Sequence, residues 1–152
     1  MADKKIVFLD IDGTFTVPLE KPTELALRAV REARKNGHRV LISTGRNMPI
    51  VSEDVLEAGF DGIVASAGRH IEIDGKVIRD SVLPEKTIQR CLEIFHQFGI
   101  YCRIESPEGI YIDGSLQKIL MSAAAELSNS ELIRMKKELD SDVGVKPYTE
   151  YP

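Results

Sequence analysis

The sequence has no long apolar run and no excess of positive charge. No stretch approaches the roughly 20 apolar residues that a membrane-spanning helix needs, and residues 1–5 show no signal-peptide pattern. The 20 Lys and Arg residues against 24 Asp and Glu residues give a net charge of -4, whereas nucleic acids and anionic membranes select basic surfaces. We therefore expect a cytoplasmic protein with a small-molecule ligand, and neither a nucleic-acid partner nor a membrane.

Cysteine is also scarce. The two cysteines, Cys91 and Cys102, are not at the spacing of a metal or redox motif. Both lie on the apolar side of a periodic pattern, so we expect ordinary core thiols. Hydrophobic residues make up 43% of the 152 residues and charged residues 29%, which is the balance of a folded globular chain rather than a disordered one.

Three short apolar runs predict strands of a parallel sheet, at residues 6–9, 40–42 and 63–65. The first run is continuously apolar and ends at Asp10, which is typical of a strand that is buried on both faces. Ligands of such sheets bind beyond the carboxyl ends of the strands. The residues that follow each run are therefore the first candidates for a functional site.

Helical periodicity separates the three predicted strands. The first helix is indicated by apolar residues at helical spacing: Ala26, Ala29, Val30 and Ala33. Pro22 suits its first turn, and Gly37 can supply its left-handed end. A second helical stretch covers residues 48–58. Strands that alternate with helices imply right-handed crossovers, so we predict an α/β fold with a Rossmann-like parallel sheet.

The pattern changes after Gly68. Alternating apolar residues on either side of Asp74-Gly75 predict an antiparallel hairpin. Further on, the periodicity predicts a helix over residues 84–99, strands at 100–104 and 110–112, and helical structure over 116–139. We therefore divide the chain into a partial core at residues 1–80 and a separate α+β module at residues 81–152.

Two carboxylates follow the first predicted strand. Asp10 and Asp12 are one residue apart at the ligand-binding edge, and Gly13 permits a tight turn after them. Two acids at such an edge repel each other unless a cation is present, and Mg²⁺ is the simplest choice for oxygen ligands. A plain turn that closes the strand is the alternative interpretation of these residues.

Polar residues also follow the second and third predicted strands. The Thr44 hydroxyl and the backbone N–H of Gly45 would lie beside the acids and could cradle a phosphate, although a simple strand-to-helix turn has the same pattern. Arg46 could contact a substrate anion, pair with an acidic side chain or simply be solvated. Among the histidines, only His70 lies beside the predicted cleft, where it is a candidate for substrate contact.

Residues 8–14, from Phe8 to Thr14, resemble the first signature of haloacid dehalogenase-like phosphatases, and residues 41–46 resemble their second. Residues 62–75 are similar to the Cof-type branch of that superfamily, in which a cap domain is inserted after the second signature. The resemblance implies that residues 81–152 form an inserted α+β cap domain, which ends before the cap is complete.

The resemblance also implies a reaction. Asp10 would attack phosphorus and form an aspartyl-phosphate, Asp12 would act as general acid and then general base, and Thr44 would hold the phosphoryl oxygens. Asp10 and the backbone carbonyl of Asp12 would bind Mg²⁺. The implied substrates are small phosphorylated metabolites such as sugar phosphates, and the implied enzyme is a phosphoric monoester hydrolase.

The sequence departs from the family pattern in two places. Ala67-Gly68 stands where the family has Asn-Gly, and nothing after residue 80 matches the lysine of the third signature or the Gly-Asp-Gly cluster of the fourth. Without further strands, the Asp10 strand would be an unpaired sheet edge. A second hypothesis is therefore a catalytically incomplete fragment that binds metal and phosphate, or a chain completed by another chain or by a homo-oligomer.

A receiver-like signalling domain is a third hypothesis, because such domains also combine strand-end acids, a threonine and Mg²⁺ on a parallel sheet. They carry their phospho-accepting aspartate at the end of the third strand. Here that strand is followed by Ser66 and Ala67, without a carboxylate. A receiver domain would also not continue into an antiparallel module, so this hypothesis is the weakest of the three.

Overall fold

A computed structural model of the protein describes residues 3–17, 20–112, 133 and 145–147. The chain divides into two compact units, Met1–Ser81 and Val82–Pro152. Among the described residues, no helix has the length and apolar character needed to cross a bilayer.

A five-stranded sheet in the order β1-β2-β3-β4-β5 lies at the centre of the first unit. Its strands are β1 (Ile6–Leu9), β2 (Arg39–Ser43), β3 (Gly62–Ala65), β4 (His70–Ile73) and β5 (Lys76–Asp80). β1, β2 and β3 are parallel, whereas β4 and β5 continue the sheet as an antiparallel hairpin. The α/β fold with a parallel sheet is therefore confirmed.

The register brings the ends of the parallel strands together. Leu9 of β1 is level with Ile42 of β2, and Ser43 of β2 is level with Val64 of β3. The three strands consequently finish at the same edge of the sheet, and the segments that follow them are neighbours. This edge positions the candidate site.

Helix α1 (Glu24–Lys35) forms the crossover between β1 and β2. The Thr23 side chain caps its amino end by accepting a hydrogen bond from the backbone N–H of Ala26 at 3.2 Å. Arg34 and Lys35 stand in its last turn, where positive charge favours the helix dipole. The helix begins after Pro22 rather than with it, because Thr23 provides the cap.

The segment after β2 differs from the predicted single helix over residues 48–58. A short 3-10 turn (Met48–Ile50) is followed by one helical turn, α2 (Glu53–Leu56). Val51, between them, has an extended backbone with φ -81° and ψ 110°, and this conformation interrupts the helix. Val51 and Val55 are nevertheless buried, so the apolar spacing identified core residues correctly.

The core of the first unit lies on one face of the sheet, between the sheet and the two helices. Its buried members are Ile11, Phe15, Leu27, Val30, Val40, Ile42, Val51, Val55, Ala58, Ile63 and Ala65. Gly62 approaches β4 so closely that an added Cβ would collide with the Glu72 carbonyl oxygen. At this position β3 and β4 therefore leave no room for a side chain larger than that of glycine.

β1 is paired on one side only, since it is the first strand in the sheet order. Ile6, Val7 and Phe8 are 63%, 40% and 61% exposed. The expectation that this strand is buried on both faces is therefore wrong, because a continuous apolar run does not reveal whether a neighbour covers it. The expectation that β1 is an edge strand is confirmed for the described part of the chain.

The second unit contains α3 (Glu85–Gln97) and a three-stranded sheet in the order β6-β7-β8. The strands are β6 (Arg103–Ser106), β7 (Gly109–Ile112) and β8 (Val145–Pro147). β6 begins later than predicted, because the Ile100 N–H is hydrogen-bonded to the Phe95 carbonyl at the end of α3, at 2.8 Å. The predicted helical stretch over residues 116–139 lies outside the described residues, apart from Ile133.

The two cysteines both lie in this second unit. Cys91 is on α3 and Cys102 immediately precedes β6, and both are half-buried thiols that form no disulfide. Their burial is less complete than the core position that the sequence predicted.

Candidate active site

The loop after β1 carries the two candidate acids and is held by its own hydrogen bonds. The Asp10 carbonyl accepts from the Phe15 N–H at 3.1 Å, and the Gly13 N–H donates to the Thr16 carbonyl at 2.8 Å. Gly13 has a φ of +78°, a conformation that glycine adopts at little cost. Ile11 is only 1% exposed, so it anchors the loop in the core while the Asp10 side chain remains exposed.

The turn after β2 lies next to this loop. Thr44 is 5% exposed, and its N–H donates to the Val64 carbonyl of β3 at 2.8 Å. Its Oγ1 accepts a hydrogen bond from the backbone N–H of Arg46 at 3.1 Å. Gly45 is exposed, and a Cβ added there would have no atom within 4 Å. The turn therefore leaves open space beside Gly45.

The acid loop and the threonine turn are joined by an ion pair. The Nε of Arg46 donates to Asp12 Oδ2 at 2.9 Å, and its Nη2 donates to Asp12 Oδ1 at 2.6 Å. The Arg46 and Asp12 side chains are 15% and 30% exposed. Of the two partners that the sequence allowed for Arg46, the acidic side chain is the one to which Arg46 is bound in the structure. We call this contact the Asp12–Arg46 pair.

The turn after β3 packs against Arg46 and Thr44. The Ser66 N–H donates to the Arg46 carbonyl at 2.7 Å, and the Ala67 N–H donates to the Thr44 carbonyl at 3.1 Å. Ser66 and Ala67 have φ values of 50° and 51°, in the left-handed region that non-glycine residues rarely adopt. Such strain is concentrated at functional sites, and nothing in these two residue types allowed the sequence to reveal it.

His70 is the first residue of β4, level with Ala65 of β3. Its Nδ1 lies 3.4 Å from Asp80 Oδ1 on β5. Its Nε2 is buried and has no hydrogen-bond partner among the described residues. His70 is therefore near the strand ends that form the site, and its predicted contact with substrate stays a prediction.

The donor atoms at the acid loop suit a hard cation. Mg²⁺ in proteins is commonly held by one or two carboxylates while it keeps several waters. The exposed Asp10 carboxylate and the Asp12 backbone carbonyl supply oxygens of this kind, whereas the Asp12 carboxylate is bound to Arg46. No group of three or more His, Cys, Asp or Glu side chains within the described residues is arranged to hold a metal. The residues present therefore fit part of a magnesium shell.

The fold and this arrangement define the class of protein. The family model for haloacid dehalogenase-like hydrolases matches residues 7–146, which is most of the chain. The chain belongs to the haloacid dehalogenase-like hydrolase family, and its similarity to Cof-type members is confirmed.

The chain is also similar to individual relatives and solved structures. YkrA of Bacillus subtilis (strain 168), provisionally named a phosphatase, is 32% identical over 91 residues, which are 60% of this chain and 35% of that protein. A haloacid dehalogenase-like hydrolase structure from B. subtilis has a TM-score of 0.71 at 20% identity, covering 98% of this chain and 56% of the other. A structure described as a subclass IIB sugar phosphatase has a TM-score of 0.66 at 19% identity, and the match covers 95% of this chain and 52% of the other. The chain spans about half the length of such relatives.

Proposed function

We propose that this chain carries the nucleophile, the general acid–base and the phosphate cradle of a phosphoric monoester hydrolase. The observation that supports the proposal is the meeting of the Asp10 loop with the Thr44 turn at one edge of a parallel sheet, joined by the Asp12–Arg46 pair. Family membership supports hydrolase chemistry in general. The assignment of a phosphate monoester substrate and of each residue's role is our own.

In the first step, a carboxylate oxygen of Asp10 attacks phosphorus while the bond from phosphorus to the leaving oxygen breaks. The carboxyl group of Asp12 gives its proton to that oxygen, so the alcohol leaves neutral. In the second step, the Asp12 carboxylate takes a proton from water as the water oxygen attacks phosphorus. The bond to Asp10 then breaks, which releases inorganic phosphate and restores both side chains.

The remaining residues of the site would bind the negatively charged phosphoryl group. The Thr44 hydroxyl and the backbone N–H of Gly45 would contact phosphoryl oxygens, and the turn at Gly13 lets the backbone approach them. Mg²⁺, held by Asp10 and the Asp12 carbonyl, would supply neutralisation of the phosphoryl oxygens when bound. This arrangement would orient the phosphorus toward the Asp10 carboxylate.

We propose small phosphorylated metabolites, with sugar phosphates first, as the substrate class. Support comes from the description of one structural neighbour as a sugar phosphatase. The described elements of the second unit, α3 and β6 to β8, also agree with an α+β cap that closes over a compact substrate. Because that neighbour is only 19% identical, it supports the fold more strongly than the substrate.

A second candidate function is binding of metal and phosphate without turnover. It is favoured by the lack of a match to the third-signature lysine and the fourth-signature acidic cluster after residue 80. The described residues likewise contain no cluster of three potential metal ligands. Another chain or a second copy would then have to complete the active site.

Hydrolysis of p-nitrophenyl phosphate with Mg²⁺ separates the two candidates. For the hydrolase we expect Mg²⁺-dependent release of nitrophenol that Asp10→Asn abolishes, and that Asp12→Asn slows by roughly 10²- to 10⁴-fold, the usual contribution of a general acid–base. Asp54→Asn is the matched control, because Asp54 is paired with Lys21 and has no assigned role in the site. A folded chain that binds phosphate but releases no nitrophenol would support the binding function instead.

A further inference from the structure

The Arg46 side chain is held by several acceptors on neighbouring segments. Besides its two hydrogen bonds to Asp12, it donates from Nη1 to the Ile50 carbonyl at 3.3 Å. The side chain is 15% exposed. A guanidinium this far from water needs an anion close by, and Asp12 supplies that anion in the present structure.

The backbone of Arg46 is fixed independently of its side chain. Its N–H donates to Thr44 Oγ1 at 3.1 Å, and its carbonyl accepts from the Ser66 N–H at 2.7 Å. The Cα of Arg46 is therefore tied to the turn that we assign to phosphate, whatever the guanidinium contacts. A change of partner would require rotation of the side chain only.

Carboxylate and phosphate compete for the same guanidinium geometry. The planar fork of arginine forms two parallel hydrogen bonds with either anion. Both oxygens of Asp12 are directed at this fork, whereas proton delivery requires an Asp12 oxygen within hydrogen-bond reach of the leaving oxygen. The observed pairing therefore occupies the residue that should donate the proton and the residue best suited to bind a phosphoryl group.

We infer that the Asp12–Arg46 pair is exchangeable: an incoming phosphoryl group displaces Asp12 from Arg46. Arg46 then binds the phosphoryl oxygens, and the Asp12 carboxyl group is released toward the leaving oxygen. Arg46 is thus a phosphate-binding residue that Asp12 masks while no substrate is bound. This inference rests on the proposed function, because it requires the phosphate site at Thr44.

The competing explanation is that the pair is a permanent structural link between the two segments. A permanent link would leave Arg46 unavailable to phosphate whether or not substrate is present. Arg46→Lys, which keeps the charge but lacks the planar fork, would then leave the phosphate affinity of the otherwise wild-type chain unchanged. The two explanations differ in whether Arg46 contacts phosphate while Asp12 is present.

The test is a double-mutant cycle on the affinity for inorganic phosphate, measured by isothermal titration calorimetry with the full chain. The variants are Asp12→Asn, Arg46→Gln and the combination of the two. We expect Asp12→Asn to tighten phosphate binding by about tenfold, toward the lower part of the range usual for coupled sites, because it unmasks the guanidinium. In the Arg46→Gln background, the same change should give a much smaller gain. With Asp12 retained, Arg46→Lys should weaken phosphate binding, because lysine lacks the planar fork that would bind the phosphoryl oxygens.

Asp10→Asn provides the matched control for charge. It removes one carboxylate from the same loop without releasing Arg46, so its effect on phosphate affinity should be the same with Arg46 or with Gln at that position. Circular dichroism checks that each variant is folded. If Arg46→Gln is not folded, Arg46→Lys replaces it, since lysine keeps the charge but lacks the planar fork.

Two results would overturn the inference alone. One is a phosphate affinity that Arg46→Lys leaves unchanged while Asp12 is present, and the other is a gain on Asp12→Asn that is absent or that persists without Arg46. Either result counts only with wild-type phosphate binding that Thr44→Val weakens. If neither the wild type nor any variant binds phosphate, the proposed function fails and this inference fails with it. The Thr44→Val measurement therefore tells the two failures apart.

Discussion

Asp61 shows how a single residue joins several elements at the end of the sheet opposite the site. Its carboxylate accepts from Arg34 Nη2 on α1 and from the Val40 N–H on β2, each at 2.8 Å. Burial by itself would raise the pKa of Asp61, but these two hydrogen bonds and the nearby charges of Arg34 and Arg39 outweigh it, so the pKa lies below its usual value. The ionised form of Asp61 therefore stabilises the fold.

We expect Asp61→Asn to lower the free energy of unfolding by about 1–3 kcal/mol at pH 7, the usual cost of leaving buried hydrogen-bond partners unsatisfied. A depressed pKa contributes stability above the unfolded value of roughly 3.9 and loses it as the pH falls through the folded value. The difference between wild type and Asp61→Asn should therefore narrow below about pH 4. Urea unfolding at several pH values, monitored by circular dichroism, measures this difference in the free energy of unfolding.

Asp54→Asn is the control for this experiment. Its partner Lys21 is 79% exposed, and exposed ion pairs contribute little to stability. We therefore expect Asp54→Asn to lower the free energy of unfolding much less at pH 7. Equal losses for both variants, or a loss for Asp61→Asn that does not depend on pH, would contradict the assignment.

At the scale of elements, β1 and β2 are similar in sequence and different in environment. Both are short apolar strands in the parallel part of one sheet, but within the described residues β2 lies between two strands and β1 has a strand on one side only. Ile42 of β2 is 1% exposed, whereas Phe8 of β1 is 61% exposed. The strands should therefore respond very differently to the loss of a large side chain.

Ile42→Ala should destabilise the protein by about 2–5 kcal/mol, because it leaves a cavity in the core. Phe8→Ala removes a larger side chain but should cost only about 1 kcal/mol, since most of that side chain already contacts water. Chemical denaturation of both variants at pH 7, at a protein concentration low enough to keep the chain monomeric, makes the comparison. Similar losses of stability would mean that the exposed face of β1 is covered even in the monomer.

At the scale of the whole molecule, the exposed edge of β1 is the feature most relevant to association. Unpaired backbone groups and exposed apolar side chains on an edge strand favour pairing with another chain. Ile6 and Phe8 alternate along β1 and are each more than half exposed. We therefore propose that a second copy of this chain pairs with this edge.

We expect the purified chain to associate through β1, with a weight-average mass that rises with concentration in static light scattering. The double substitution Ile6→Lys and Phe8→Lys should suppress this rise, because lysines on an edge strand oppose pairing. Leu25→Lys is the matched control, since Leu25 is 76% exposed but lies on helix α1 rather than on a strand. Association that is unchanged by the β1 substitutions, or suppressed equally by Leu25→Lys, would contradict the role of this edge.

The amino-acid sequence by itself determined the α/β order, the three parallel strands, the hairpin at Asp74-Gly75 and the positions of Asp10 and Thr44. These features follow from local patterns: apolar runs and helical spacing, turn residues, and acids at the ends of strands. A parallel sheet then brings strand ends together without further information.

The tertiary structure alone decided how β1 is exposed, where the helix after β2 breaks, and which partner Arg46 binds. Exposure depends on whether another element covers a strand, and an apolar run has the same sequence in either case. Arg46 is 34 positions from Asp12 in the sequence, so only the fold could select Asp12 among the acids within its reach. The strained turn at Ser66 and Ala67 likewise depends on hydrogen bonds to Arg46 and Thr44, which exist only when the three strands are assembled.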